Sequence, residues 1–178
     1  LVLLDAGNYQ SAIEDFSEAI NINPTTDCFT NRGLAYVKLG KIQEAYNDYS
    51  RGIRLNPSDG HVYFNRGSLL LDNESNHNEA IEDFHTAIRL GCSGINDFYY
   101  KVYGNLALVY SDAGDYNSAI NYINKAINIH PRRYDGYVNR AYIKQNLGQN
   151  ICSDLKKACN YGSQRSCDDY NYGPCRYN

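Results

Sequence analysis

Methionine and tryptophan are both absent from this sequence. The first absence leaves no initiator residue, so the chain reads as a processed fragment, with more of the protein expected upstream of Leu1. No apolar run approaches the roughly 20 residues of a membrane-spanning helix, and Leu1 to Leu4 is too short and lacks a signal peptide's basic flank. A soluble protein is expected, in the cytoplasm or outside it. Charge of one sign is not concentrated anywhere: 17 basic and 20 acidic residues are interspersed for a net charge of −3, which offers no basic stripe to nucleic acid. No Cys-x-x-Cys or Cys-x-x-His spacing marks a zinc site. Asp72-Asn-Glu-Ser-Asn76 looks superficially like a calcium loop, but His77 stands where that loop requires glycine, and the segment fits an inter-helix turn. Asn73-Glu-Ser75 matches a glycosylation sequon, a match that chance supplies as easily. The four histidines stand apart from any nucleophile, and neither a phosphate-cradling glycine loop nor a nucleophile elbow occurs. Catalysis, metals and cofactors therefore have no candidate residues.

What is present is repetition. One string occurs five times: Ala12-Ile-Glu-Asp-Phe16-Ser-Glu-Ala19-Ile20, Ala45-Tyr-Asn-Asp-Tyr49-Ser-Arg-Gly52-Ile53, Ala80-Ile-Glu-Asp-Phe84-His-Thr-Ala87-Ile88, Ala119-Ile-Asn-Tyr-Ile123-Asn-Lys-Ala126-Ile127, and the looser Ile151-Cys-Ser-Asp-Leu155-Lys-Lys-Ala158-Cys159. Successive starts are 33, 35, 39 and 32 residues apart. Apolar or small residues at i, i+4, i+7 and i+8 share one helical face, so each string predicts an amphipathic helix. A second string precedes four of the five: Phe29-Thr-Asn-Arg-Gly33-Leu-Ala-Tyr36, Tyr63-Phe-Asn-Arg-Gly67-Ser-Leu-Leu70, Tyr103-Gly-Asn-Leu-Ala107-Leu-Val-Tyr110 and Tyr137-Val-Asn-Arg-Ala141-Tyr-Ile-Lys144. It predicts another helix, whose small residue lets a neighbouring backbone approach. Gly40, Gly114 and Gly148 stand where the first helix must end, and Pro24, Pro57 and Pro131 where the second must stop. A hairpin of this size cannot bury its own apolar face, so the units must stack.

The order aromatic, Gly or Ala, aromatic, Gly, then Ala, aromatic, Ala and Pro, on a period near 34, resembles the tetratricopeptide repeat (TPR). Asn31-Arg-Gly-Leu-Ala-Tyr-Val-Lys-Leu-Gly40 is close to a consensus string of that family. The resemblance covers nearly the whole chain and implies an all-α fold, a TPR α-solenoid in which antiparallel hairpins wind into a right-handed superhelix. The expected units are a partial repeat over 1–25, repeats over 26–59 and 60–93, one over 94–131 with an extended first helix, one over 132–162, and a capping helix and tail over 163–178. Leu3 aligns with Tyr36, so the chain begins within a unit. The turn over 72–78 carries an extra residue, and the segment over 91–98 replaces the usual proline with an insertion.

The resemblance also implies a function: protein–protein interaction through a concave groove lined by the first helices. Asn31, Asn65, Asn105 and Asn139 occupy one equivalent place there, and in arrays resembling those of O-GlcNAc transferase an asparagine row grips an extended peptide. An amide both donates and accepts, so such a row can match successive peptide groups. The competing reading is that asparagine at this place only helps adjacent helices pack. Phe64, Lys38, Leu108 and Tyr142 are expected beside the row, with Thr30, Leu34, Ser68, Leu71, Asp72, Ser111 and Asp112. The carboxylate clamp of chaperone-binding TPR domains is not reproduced, because Asp27, His61, Lys101 and Asp135 stand at its places. Two other functions stay open: the substrate-recognition arm of a larger enzyme, and an architectural or self-association module.

Arg32, Arg66 and Arg140 follow three of those asparagines. The repeats that have them also have Asp48, Asp83 and Asp154 in their second helix, whereas the fourth repeat exchanges both members, for Leu106 and Tyr122. Loss of both together is expected of ion pairs buried between the helices of one hairpin, because a buried charge without its partner is costly. The arginines are therefore read as structural. Four of six cysteines cluster late, at 152, 159, 167 and 175. Cys159 and Cys167 resemble the bridged pair of Sel1-like cysteine-rich repeats, which would imply an oxidising compartment; reduced packing thiols are the alternative. Cys28 and Cys92 lie two units apart and are not expected to pair.

Overall fold

The structure, a computed structural model, describes residues 8–71, 76–91, 95–173 and 175. The expected partial helix around Leu3, the sequon, Asp72 and Cys92 lie outside the described residues. Among those described, the chain forms ten α-helices and no strand, in two compact units, 1–92 and 93–178. The first unit holds α1 (Tyr9–Ile22), α2 (Thr26–Lys38), α3 (Ile42–Leu55), α4 (Gly60–Leu69) and α5 (His77–Leu90). The second holds α6 (Ile95–Asp112), α7 (Tyr116–Ile129), α8 (Tyr134–Asn146), α9 (Cys152–Asn160) and α10 (Gln164–Tyr172).

The helix ends follow from local chemistry. Thr25, Asp115 and Ser163 each accept a hydrogen bond from the backbone N–H three residues on, which satisfies one orphan donor of the first turn. Gly40, Gly114 and Gly148 sit at φ between 66° and 79°, the left-handed conformation that closes a helix with little strain only for glycine. At the other end Asn23, Asn56 and His130 each precede a proline and are extended, with ψ of 98°, 87° and 77°. Proline disfavours the helical conformation in the residue before it, so the second helices stop there.

Within each unit every helix packs on the next in sequence, and in addition α2 meets α4 and α6 meets α8. The first helices of neighbouring hairpins thus lie side by side, which sets their equivalent residues in rows. The core consists of the repeated small and aromatic positions: Ala12, Ala45, Ala80 and Ala119 are fully buried, as are Phe84 and Ile123, with Tyr49 at 1% exposure. The sequence setting of Gly33 and Gly67 predicts the approach of a neighbouring backbone, but the atoms nearest to them belong to side chains. Both glycines receive an aromatic ring from the second helix of their own hairpin: a Cβ at Gly33 would lie 2.6 Å from Tyr49 Cε1, and one at Gly67 3.0 Å from Phe84 Cε1. The ring, being wider than a methyl-bearing contact allows, selects glycine on the facing helix.

Candidate functional site

Each arginine of the first helices is a three-helix tie. Arg32 on α2 donates from Nε and Nη2 to both carboxylate oxygens of Asp48 on α3, at 2.7 and 2.8 Å, while its Nη1 donates to Ser17 Oγ on α1 at 2.9 Å. Arg66 repeats the pattern with Asp83 on α5, at 2.8 Å twice, and with Ser50 Oγ on α3 at 3.1 Å. Arg140 on α8 donates to Asp154 Oδ1 on α9 and, at 2.6 Å, to Asn124 Oδ1 on α7. A planar guanidinium suits this work because its fork fills a carboxylate and leaves a third donor for the preceding helix. Asp154 has a second cation: Lys144 Nζ lies 2.7 Å from Oδ2, outside hydrogen-bond angles, so charge rather than a directed bond satisfies that oxygen. Burial pushes the Asp154 carboxyl up, but the hydrogen bonds of Arg140 and the adjacent charges of Arg140 and Lys144 outweigh it and hold the group below the usual carboxylate range.

The fourth repeat replaces the tie with aromatic packing. Leu106 is fully buried, and Tyr122 stacks on Tyr110 with ring centroids 5.4 Å apart and planes 6° from parallel. The Tyr103 ring centroid lies 6.2 Å from that of Tyr122, and Lys125 Nζ is 4.7 Å from the Tyr122 centroid.

With the arginines engaged internally, the same helices also carry side-chain amides. Asn31 and Asn65 stand on the adjacent helices α2 and α4, Asn105 and Asn139 on α6 and α8, all half-buried. The side chains of Asn31, Asn65 and Asn139 make no hydrogen bond to the described residues. Lys38 and Tyr142 are exposed and Leu108 is half-buried. Phe64 is half-buried with its ring 6.2 Å from that of the core residue Phe84. Two residues expected on the groove are turned inward. Ser111 is 4% exposed, because it follows buried Ala107 by four residues and so shares its face. The Thr30 hydroxyl is buried against α3, where Gly52 has no side chain to hold the helices apart.

In the second unit a cavity of about 740 Å³ opens between α8 and α10 over α9, with Asn139 and Tyr142 among its lining residues. Its far wall is fastened by disulfides. Cys159 and Cys167 are joined, tying α9 to α10, and Cys152 is joined to Cys175 beyond α10. Sequence reasoning missed the second bond. Cys28 is a free thiol. Among the described residues no cluster of three or more His, Cys, Asp or Glu side chains is arranged for a metal ion, and no helix is long and apolar enough to cross a membrane.

Antiparallel helical hairpins with a common internal register define an α-solenoid repeat protein. Family models of the tetratricopeptide repeat match residues 26–59 and residues 1–26 and 100–132, together just over half of the chain. The chain belongs to the tetratricopeptide repeat family. Solved structures agree on the fold. Pseudomonas aeruginosa pilF superposes with a TM-score of 0.81 at 18% identity, over 93% of this chain and 75% of that one. MamA from Desulfovibrio magneticus RS-1 gives 0.79 at 16% identity, over 93% and 91%. YrrB, a TPR protein with an unusual peptide-binding site, gives 0.71 at 18% identity, over 93% and 87%. No curated protein sequence matches the chain.

Proposed function

We propose that this chain is a non-catalytic interaction scaffold that holds extended segments of partner proteins along the first helices of its hairpins. One contrast carries the reading: the arginines are consumed by internal ties, whereas the Asn31, Asn65 and Asn139 amides beside them have no internal partner among the described residues. Each such amide matches a peptide group with one donor and one acceptor, which favours backbone recognition with low side-chain selectivity. The peptide-binding site of YrrB, a protein of the same fold, supports the same use. Two disulfides favour an oxidising compartment, and hence partners outside the cytoplasm.

The test is a pull-down with the intact chain against a variant combining Asn31→Ala, Asn65→Ala, Asn105→Ala and Asn139→Ala, with circular dichroism to establish that both are folded. The variant is expected to lose its partners. Partners retained by a folded variant would show that the asparagines are packing residues.

A further inference from the structure

The 740 Å³ cavity has a definite chemistry. Tyr134, Val138 and Tyr142 line it at four-residue spacing, one stripe of α8. Both tyrosines are about half exposed, at 47% and 51%, among the largest apolar exposures on the chain. Ala141, Ile151 and Leu155 also line it, while the first turns of α10 supply the opposite wall, with Arg165 and Asp169 on the rim. One cation and one anion leave the opening without net charge, so neither an acidic nor a basic group gains from entering it. An apolar stripe with an uncharged, amide-bearing edge fits an uncharged aromatic or large aliphatic side chain.

The wall on α10 is held by little apolar burial, its apolar contact being Tyr170, half-buried against Ala141 and Leu155. The helix reads Gln-Arg-Ser-Cys-Asp-Asp-Tyr-Asn-Tyr, without one aliphatic residue, and its well-buried side chain is Ser166, which hydrogen-bonds the capping Ser163. It packs on α9, to which Cys159–Cys167 and Cys152–Cys175 bind it on either side. With so small an apolar contact, the bridges are the main ties on the second wall.

We propose that this cavity is a side-chain subsite of the peptide groove, which takes an aromatic or large aliphatic residue of the bound segment and exists only while the two disulfides are formed. It rests on the peptide-binding reading above and is continuous with it, since Asn139 lines the same cavity. The experiment selects a phage-displayed library of random linear peptides on the immobilised, oxidised chain, and then measures enriched peptides against Tyr134→Ala/Tyr142→Ala and against the chain after reduction. Enriched peptides are expected to share one aromatic or large aliphatic position and to bind both altered forms about tenfold to a hundredfold more weakly, the loss due to one apolar side chain. The half-exposed tyrosines make the double variant safe for folding, and hydrogen exchange on the reduced chain reports whether α10 alone is released. A preference for charged residues, or an aromatic preference that survives the tyrosine variant or reduction, overturns the subsite and leaves the groove standing. No enrichment of any peptide overturns the groove reading itself, and the subsite with it.

Discussion

Gly33→Ala and Gly104→Ala should change stability in opposite directions, although both glycines lie inside first helices. In an open helical position alanine is favoured over glycine by about 1 kcal/mol, because it loses less backbone entropy. Gly104 is such a position, since a Cβ there meets nothing within 4 Å beyond its own helix, and its replacement should stabilise by about 0.5–1 kcal/mol. At Gly33 the same Cβ would lie 2.6, 3.0 and 3.1 Å from Cε1, Cδ1 and Cζ of Tyr49. Carbon atoms prefer roughly 3.5–4 Å, and Tyr49, only 1% exposed and packed with Ala45 and Val62, has no room to withdraw. Overpacking of this kind costs about 1–3 kcal/mol, which outweighs the propensity gain and leaves a net loss of about 1–2 kcal/mol. Urea unfolding followed by circular dichroism measures both, with each unit fitted as its own transition because repeat arrays need not unfold in one step. Tyr49→Leu should remove most of the penalty of Gly33→Ala, and that coupling locates the clash in the ring. If Gly33→Ala proved as stabilising as Gly104→Ala, aromatic insertion would not be the reason for the small residue.

Three further outcomes follow from the second unit and the ties. Asp154→Ala should destabilise by about 3–5 kcal/mol by leaving Arg140 and Lys144 without their buried partner, whereas exchanging both members of the Arg66–Asp83 pair for apolar residues should cost far less, as a denaturant series would show. Because the Asp154 carboxyl titrates below its unfolded value of about 3.9, its contribution is present above that pH and lost as pH falls through the folded value; the stability gap between wild type and Asp154→Asn should therefore narrow below about pH 4. Reduction should lower the unfolding midpoint of the second unit and leave the first unchanged, since loops closed across 8 and 23 residues are worth about 2.5 and 3.5 kcal/mol singly and less than their sum when nested.

The parts of this molecule legible in its sequence are those set by neighbouring residues. Helix ends could be read because a glycine at positive φ and a residue before proline act within one turn of themselves. The Arg–Asp ties could be read because the fourth repeat lacks both members at once. Their third partners went unread, although a trace was there: the sixth residue of the repeated string is Ser17, Ser50 and Asn124 ahead of each arginine, and His85 ahead of Leu106. That bond joins one hairpin to the one before it, so a search confined to single repeats passes over it. The Cys152–Cys175 bond was hidden for a similar reason. It depends on how the chain turns back after α10, a matter of three dimensions across 23 residues rather than of spacing. Thr30 and Ser111 mark another limit, because helical spacing alone places a residue only to within the width of a face, and the close approach at Gly52 decided the first of them.

The division of labour between arginine and asparagine bears on how any bound peptide would respond to salt. Each tie places its cation against a carboxylate inside the fold, with Arg32 and Asp48 at 13% and 5% side-chain exposure, so these charges cancel locally and project little field onto the first helices. Beside exposed charges such as Asp27 and Lys38 on α2 and Lys101 on α6, those helices retain amide groups, whose hydrogen bonds depend weakly on ionic strength. Screening between about 0.05 and 0.5 M salt shortens the Debye length from about 14 to 4 Å and would weaken a charge-steered complex by orders of magnitude. An amide-held peptide should weaken by less than about threefold over that range, which fluorescence anisotropy with a labelled peptide can follow. A steep salt dependence would instead mean that a partner reaches charged residues outside the asparagine rows, and the assignment of backbone recognition to Asn31, Asn65, Asn105 and Asn139 would fall.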